Sequence, residues 1–219
     1  MKALLVDDHS LFREGLTMLM AQRFPAVELF DVGDLNDAEA VLGTEPGIEL
    51  ILLDLGLPDS QGLDSLQRLR SVVPEVPIVV MSADERPETI LAAIDQGAAG
   101  FIPKTARIGA IESALRVVLD GGIFLPQGIY RSIAPPLADG PEVDEAQAAL
   151  MQSLGLTPRQ LDVLRLMALG QSNKQISRAL SVAESTIKTH VAVVFRRLDV
   201  TSRSQVMVAA ARMGLRFER

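Results

Sequence analysis

Residues 50–62 read Leu-Ile-Leu-Leu-Asp-Leu-Gly-Leu-Pro-Asp-Ser-Gln-Gly. Four apolar residues, Leu50–Leu53, run unbroken to Asp54, and Gly56, Pro58 and Gly62 then interrupt the pattern. A short apolar run closed by turn residues predicts a strand buried on both faces, the kind found at the centre of a parallel sheet. Working outward, Ala3–Val6, Val27–Val32, Ile78–Met81 and Ala99–Ile102 are strand-like, each bounded by Asp, Gly or Pro. Between them, Leu11/Leu16/Leu19, Ala38/Val41/Leu42, Leu63/Leu66/Leu69, Ile90/Leu91/Ile94 and Ile108/Ile111/Leu115/Val118 mostly fall at helical spacings. Five βα units predict a doubly wound five-stranded parallel α/β domain. Any ligand would then bind beyond the carboxyl ends of the strands.

That geometry gives the acidic residues a meaning. Asp7 and Asp8 follow the first strand and Asp54 the third, so three carboxylates converge at one sheet edge. Like charges so close repel unless a cation intervenes. Mg²⁺, a hard ion that takes one or two carboxylates with waters and a phosphate oxygen, suits the cluster. Ser82 after strand four adds a hydroxyl and Lys104 after strand five an ammonium. Carboxylate nucleophile, metal, hydroxyl and ammonium together predict phosphoryl transfer through an aspartyl phosphate.

From Asp120 the periodicity lapses through a stretch broken by Gly121, Gly122, Pro126, Pro135, Pro136, Gly140 and Pro141. A linker is expected over 123–153, with a short helix over 145–153. From Thr157 the pattern is all helical: Leu161/Leu164/Ala168, Ile176/Leu180, Ile187/Val191/Val194/Leu198 and Val206/Ala210/Met213. Thr157-Pro158-Arg159-Gln160 is a capping box with Pro at the first helical position. Gly170 suits the end of that helix, and Ser172 or Asn173 the start of the next. Residues 175–188 read as two short helices about a tight turn, with Ile176, Leu180, Val182 and Ile187 inside and Ser185, Lys188, Thr189 and Ala192 opposite. This is a small all-α helix-turn-helix domain whose second helix suits the major groove.

The net charge of −7 over 219 residues conceals a division. Residues 1–125 carry 9 basic against 20 acidic side chains, residues 126–153 carry 1 against 4, and residues 154–219 carry 11 against 4. The acidic body gives −11 and the basic tail +7, as expected of a module that meets polyanions. The absence of Cys excludes disulfide scaffolds, thiol catalysis and Cys-based metal sites. No apolar stretch is long enough to span a membrane, and a cytoplasmic location is the default.

The segments LLVDD, LILLDLGLPDSQG, VVMSA and GFIPK resemble, in order and spacing, the receiver domain of two-component response regulators. The run from Leu156 to Gln205 is similar to the LuxR-type helix-turn-helix domain. Together they resemble the NarL/FixJ class, with a receiver over 1–122, the linker over 123–153 and the DNA-binding domain over 154–219. The resemblance implies that Asp54 is the phosphoacceptor, that Asp7, Asp8, Asp54 and the Gly56 carbonyl hold the metal, and that Ser82 and Lys104 contact the phosphoryl group. Phe101 matches the switch aromatic. Lys188 and Thr189 would face bases, with Ala192 next on that face; Asn173, Lys174, Ser185, Thr186, His190 and Arg196 would lie near phosphates.

Partners implied are a sensor histidine kinase, double-stranded DNA, a second copy of the chain when phosphorylated or DNA-bound, and RNA polymerase; no membrane is implied. Departures are a Thr105 where many receivers have Pro, an Ala183 where a Ser usually caps the recognition helix, a Ser181 where Gly is common, and an Ala192 where some relatives are basic. Two rival functions are a phosphorylation-independent regulator, separable by labelling with a small phosphodonor, and a Mg²⁺-dependent phosphohydrolase, which leaves the basic module unexplained. A small-molecule-sensing regulator of the quorum type is disfavoured by the strand-end carboxylates and the scarcity of aromatic residues. The chain is read as a regulator rather than an enzyme.

Overall fold

A computed structural model describes residues 1–126, 129 and 154–213. The expected helix over 145–153 and most of the expected linker lie outside those residues. Contacts divide the chain into two compact units, Met1–Arg116 and Val117–Arg219.

In the first unit β1 (Lys2–Val6), β2 (Glu28–Val32), β3 (Ile48–Asp54), β4 (Ile78–Ser82) and β5 (Gly100–Pro103) form one parallel sheet in the order β2-β1-β3-β4-β5. The helices α1 (Ser10–Arg23), α2 (Leu35–Thr44), α3 (Asp64–Val72), α4 (Pro87–Asp95) and α5 (Ile108–Leu119) alternate with the strands. Leu4, Leu5, Leu50–Leu53 and Ile78–Met81 are buried, which is what the unbroken apolar runs require of strands covered on both faces. β1 lies between β2 and β3, so the strand order reverses beside it and leaves a crevice beyond the ends of β1 and β3.

The helical patterns were partly out of phase. Leu16 and Met20 face the core of α1, whereas Leu11 is 83% exposed; at the start of α5 Ile108 is 70% exposed. Spacing marks a helical segment, but contact with the sheet decides the buried face.

In the second unit the described helices are α6 (Pro158–Ala168), α7 (Asn173–Leu180), α8 (Glu184–Leu198) and α9 (Arg203–Arg212). Their core is Val163, Leu164 and Met167 of α6, Ile176 of α7, Ile187, Val191, Val194 and Leu198 of α8, and Val206 and Ala210 of α9. Val163 and Met167 join the expected Leu164 in the core, Ala168 packs against it partly buried, and Leu161 is not part of it, because α6 offers several apolar faces and its neighbours select the phase. Met213 is 37% exposed rather than interior. The capping box at Thr157 is present, and Ser172 rather than Asn173 caps α7, again with a capping box, through Gln175. Gly170 adopts φ +79° just past α6, where a left-handed residue ends a helix. Between α7 and α8, Ser181 takes the left-handed conformation at φ 53°, and Ala183 supplies no side-chain cap to α8.

Candidate phosphorylation site and nucleic-acid interface

Parallel register brings the carboxyl ends of four strands to one edge. Val6 pairs with Leu53, Asp54 with Met81, and Ser82 with Pro103, so Asp7, Asp54, Ser82 and Lys104 follow one another across the sheet. The Lys104 amide donates to the Ser82 carbonyl at 2.9 Å, tying the last two strands together at that edge. Asp7 is fully buried and Asp54 is 3% exposed. Their shared counter-charge is Lys104, whose Nζ lies 2.8 Å from Asp7 Oδ2 and 2.6 Å from Asp54 Oδ2. Two buried carboxylates beside one ammonium leave an excess negative charge.

Asp8 and His9 complete the cluster. Ligand atoms of Asp7, Asp8, His9 and Asp54 all lie within 4.8 Å of one another. His9 Nδ1 is 2.7 Å from Asp8 Oδ1, and the His9 amide donates to Asp7 Oδ1 at 2.9 Å. Gly56 leaves space at the mouth: a Cβ there would stand 3.3 Å from Asp54 Oδ2. Three carboxylates, an open backbone position and an uncompensated charge fit a hard divalent cation. His9 had no expected part here. Its place directly after the paired aspartates was the available signal, but only the turn from β1 into α1 shows that the ring points back to them.

Ser82 is 6% exposed, and its Oγ accepts from the Asp84 amide at 3.1 Å. Sequence reading missed the network behind that loop. Arg86 donates to the Asp84 carboxylate from Nε and Nη2, the Arg86 amide donates to Oδ1 at 3.1 Å, and Thr89 Oγ1 donates to Oδ2 at 2.8 Å. The Arg86 guanidinium, then the Arg86 amide and the Thr89 hydroxyl, hold the Asp84 carboxyl well below its usual range. Thr105, the departure after Lys104, hydrogen-bonds to Glu85 of the same loop, and every described peptide bond is trans. Phe101 is fully buried in β5.

The second unit presents a different surface. On α8, Ser185, Lys188, Thr189, Ala192 and Arg196 are exposed, and their spacing puts them on one face opposite Ile187, Val191, Val194 and Leu198. Thr186 and Lys174 are exposed as well; Asn173 and His190 are half-buried. At 15 residues α8 is about 22 Å long, enough to cross a major groove. Arg203 at the start of α9 was not foreseen: its Nη1 donates to Asn173 Oδ1 at 2.8 Å.

Comparison with known proteins agrees with both units. Residues 3–116 match the response regulator receiver domain family, and residues 154–210 match the LuxR family of bacterial regulatory proteins. The chain is 37% identical over 211 residues to the glycerol metabolism activator of Pseudomonas putida, covering 95% of this chain and 94% of that one. It is 31% identical to the nitrate/nitrite response regulator NarL of Escherichia coli K12, covering 94% and 92%. A LuxR-family DNA-binding response regulator from Silicibacter pomeroyi superposes with a TM-score of 0.51 at 34% identity, covering 58% of this chain and 98% of that chain. The chain belongs to the two-component response regulators of the LuxR family, with an N-terminal receiver and a C-terminal DNA-binding domain. Proteins of this class are transcriptional regulators that pair with histidine kinases and bind DNA, and receiver domains generally hold Mg²⁺ in their acidic pocket. No helix among the described residues is long and apolar enough to cross a membrane.

Proposed function

We propose that this chain is switched by phosphorylation of Asp54 and then binds promoter DNA as a dimer. The observation that carries the reading is Lys104 Nζ at 2.6 Å from Asp54 and 2.8 Å from Asp7, inside a carboxylate cluster at the ends of β1 and β3. Asp54 is the nucleophile. One of its carboxylate oxygens attacks the phosphorus of a phosphohistidine on a partner kinase, and the phosphorus–nitrogen bond breaks. Lys104, already on that carboxylate, moves with the new negative charge and offsets it. The Ser82 hydroxyl, close by at the end of β4, turns from the Asp84 amide to donate to the phosphoryl oxygens. A bound Mg²⁺, held by Asp7, Asp8, Asp54 and the Gly56 carbonyl, would neutralise the phosphoryl charge as it transfers. Phe101 is the candidate aromatic reporter of the switch.

In this reading the receiver spans 1–122, the connection 123–153 and the DNA-binding domain 154–219. Lys188 and Thr189 read bases, Ala192 lies beside them, and Asn173, Lys174, Ser185, Thr186, His190 and Arg196 stand toward phosphates. One recognition helix contacts few bases, which favours a dimer on two half-sites. The working location is the cytoplasm, with RNA polymerase the further partner once DNA is bound, and the chain turns over no substrate beyond its own phosphoryl group.

Incubation with acetyl phosphate and Mg²⁺ tests the switch by intact mass. The parent should gain one phosphate, while Asp54→Asn or added EDTA should abolish the adduct. An adduct that persists in Asp54→Asn removes Asp54 from the role, and a parent that never labels points to phosphorylation-independent regulation.

A further inference from the structure

Arg203 and Asn173 lie 30 residues apart, each at the first position of its helix, α9 and α7 respectively. Among the described residues the 2.8 Å hydrogen bond between them is the one the guanidinium makes: its Nε and Nη2 are buried with no acceptor among those residues. Burial alone lowers the Arg203 pKa, to about 10, and among the described residues no carboxylate opposes that loss. A buried guanidinium with a single neutral partner is costly. An Asp at position 173 would serve it better in the free protein, yet the residue is Asn.

The chemistry of the pair fixes what Asn173 shows to its surroundings. Arginine has five donors and no acceptor, so the amide atom facing it must be the oxygen. The two N–H bonds of Asn173 therefore point away from Arg203, on a half-buried residue beside exposed Lys174. An amide turned this way is a donor pair suited to an anion, and the guanidinium behind it is a positive charge with no carboxylate partner among the described residues.

We propose that Arg203 is a positioning residue for DNA binding: it orients the Asn173 amide as a donor to a backbone phosphate and backs it with an uncompensated charge. The proposal rests on the reading that the start of α7 faces the phosphate backbone. It adds the residue that makes Asn173 effective there, and explains why that position carries an amide instead of a carboxylate.

The full-length chain tests this, with binding to one duplex of arbitrary sequence followed by fluorescence anisotropy at two salt concentrations and thermal unfolding measured in parallel. Asn173→Ala should weaken binding about tenfold, as for one hydrogen bond to a charged group. Arg203→Lys should weaken it to a similar degree, and the double variant should lose no more than the larger single effect. Asn173→Asp should raise the unfolding temperature, because Arg203 gains a carboxylate, while weakening binding more than Asn173→Ala. A contact that served stability alone would give that rise with affinity unchanged. Parent-like binding by Asn173→Ala, independent losses that multiply in the double variant, or no thermal gain in Asn173→Asp would each overturn the proposal. The two Asn173 variants decide the matter even where Arg203→Lys fails to fold. Lys188→Ala separates the layers: if it weakens binding and Asn173→Ala does not, only the role of Arg203 falls, and if neither does, the assignment of the DNA face falls with it.

Discussion

Lys104 is the residue on which the acidic pocket depends, because its ammonium is shared by two carboxylates that the fold has almost wholly removed from water. Removing one partner of a buried ion pair leaves the other uncompensated, typically at a cost of about 3–5 kcal/mol. Lys104→Met should therefore lower the stability of the first unit by about 3 kcal/mol in EDTA, read from urea unfolding. Adding Asp54→Asn to that variant should restore most of the loss, since it deletes one of the two stranded charges. Equal stability of parent and Lys104→Met in EDTA would show the pair to be solvated. The sequence revealed these groups because each stands at the end of an apolar run, and parallel topology sends all such ends to one edge. It did not reveal His9, Arg203 or the Asp84 network, whose partners are set by how a turn or a helix start folds back, a matter of tertiary contact with no periodic signal.

Whole elements were legible in proportion to their chemistry. β1, β3, β4 and β5 are legible as short apolar runs, whereas β2, at the sheet edge, carries Glu28 and Asp31 and is only partly buried. The first cap of the second unit is legible in Thr-Pro-Arg-Gln. The box at Ser202, closed by Gln205, has the same spacing of Ser or Thr to Gln but lacks the Pro at the first helical position that marks the box at Thr157. The recognition helix α8 is the weakly capped one. Ala183→Ser should stabilise the second unit by about 1 kcal/mol by giving the first turn a side-chain acceptor. Ser181→Gly should help by a similar amount, about 1 kcal/mol, because φ 53° strains any residue with a Cβ. Thermal unfolding of the two variants measures both, and a drop in either would mean that the turn is held by contacts these substitutions disturb.

The loop from β4 to α4 has a pH signature of its own. Asp84 is ionised more readily in the folded chain than in the unfolded one, so its contribution is complete above the unfolded carboxylate pKa of about 4 and is lost as pH falls through the depressed folded value. Hydrogen exchange at the Arg86 amide, which donates to Asp84, should show protection at pH 6 and still at pH 4 in the parent, and little in Asp84→Ala at either. Matching protection in the variant would show that the loop is ordered without the carboxylate.

At the scale of the molecule, charge and contacts divide the chain at different points. The contact boundary falls after Arg116, inside α5, and the buried Ile123, Leu125 and Ile129 belong to the second unit, so the expected boundary at 122 marks a change of pattern more than a change of packing. The charge division is a property of composition and needs no structure. DNA repels residues 1–116, with 9 basic against 19 acidic side chains, wherever the connection allows them to come near, and attracts residues 117–219, with 12 against 9. Residues 117–219, which keep the buried residues beyond Arg116, should accordingly bind an arbitrary duplex more tightly than the unphosphorylated full chain. The gap should close as salt rises, because at about 0.1 M the screening length is already about 10 Å and repulsion across a connection is lost before phosphate contacts are. Titrating both against one duplex at 50 mM and 200 mM salt, with helical content of the fragment checked by circular dichroism, separates the outcomes. Weaker binding by the fragment at both concentrations would mean that the receiver contributes to DNA affinity before phosphorylation, and the inhibitory role of its charge would be refuted.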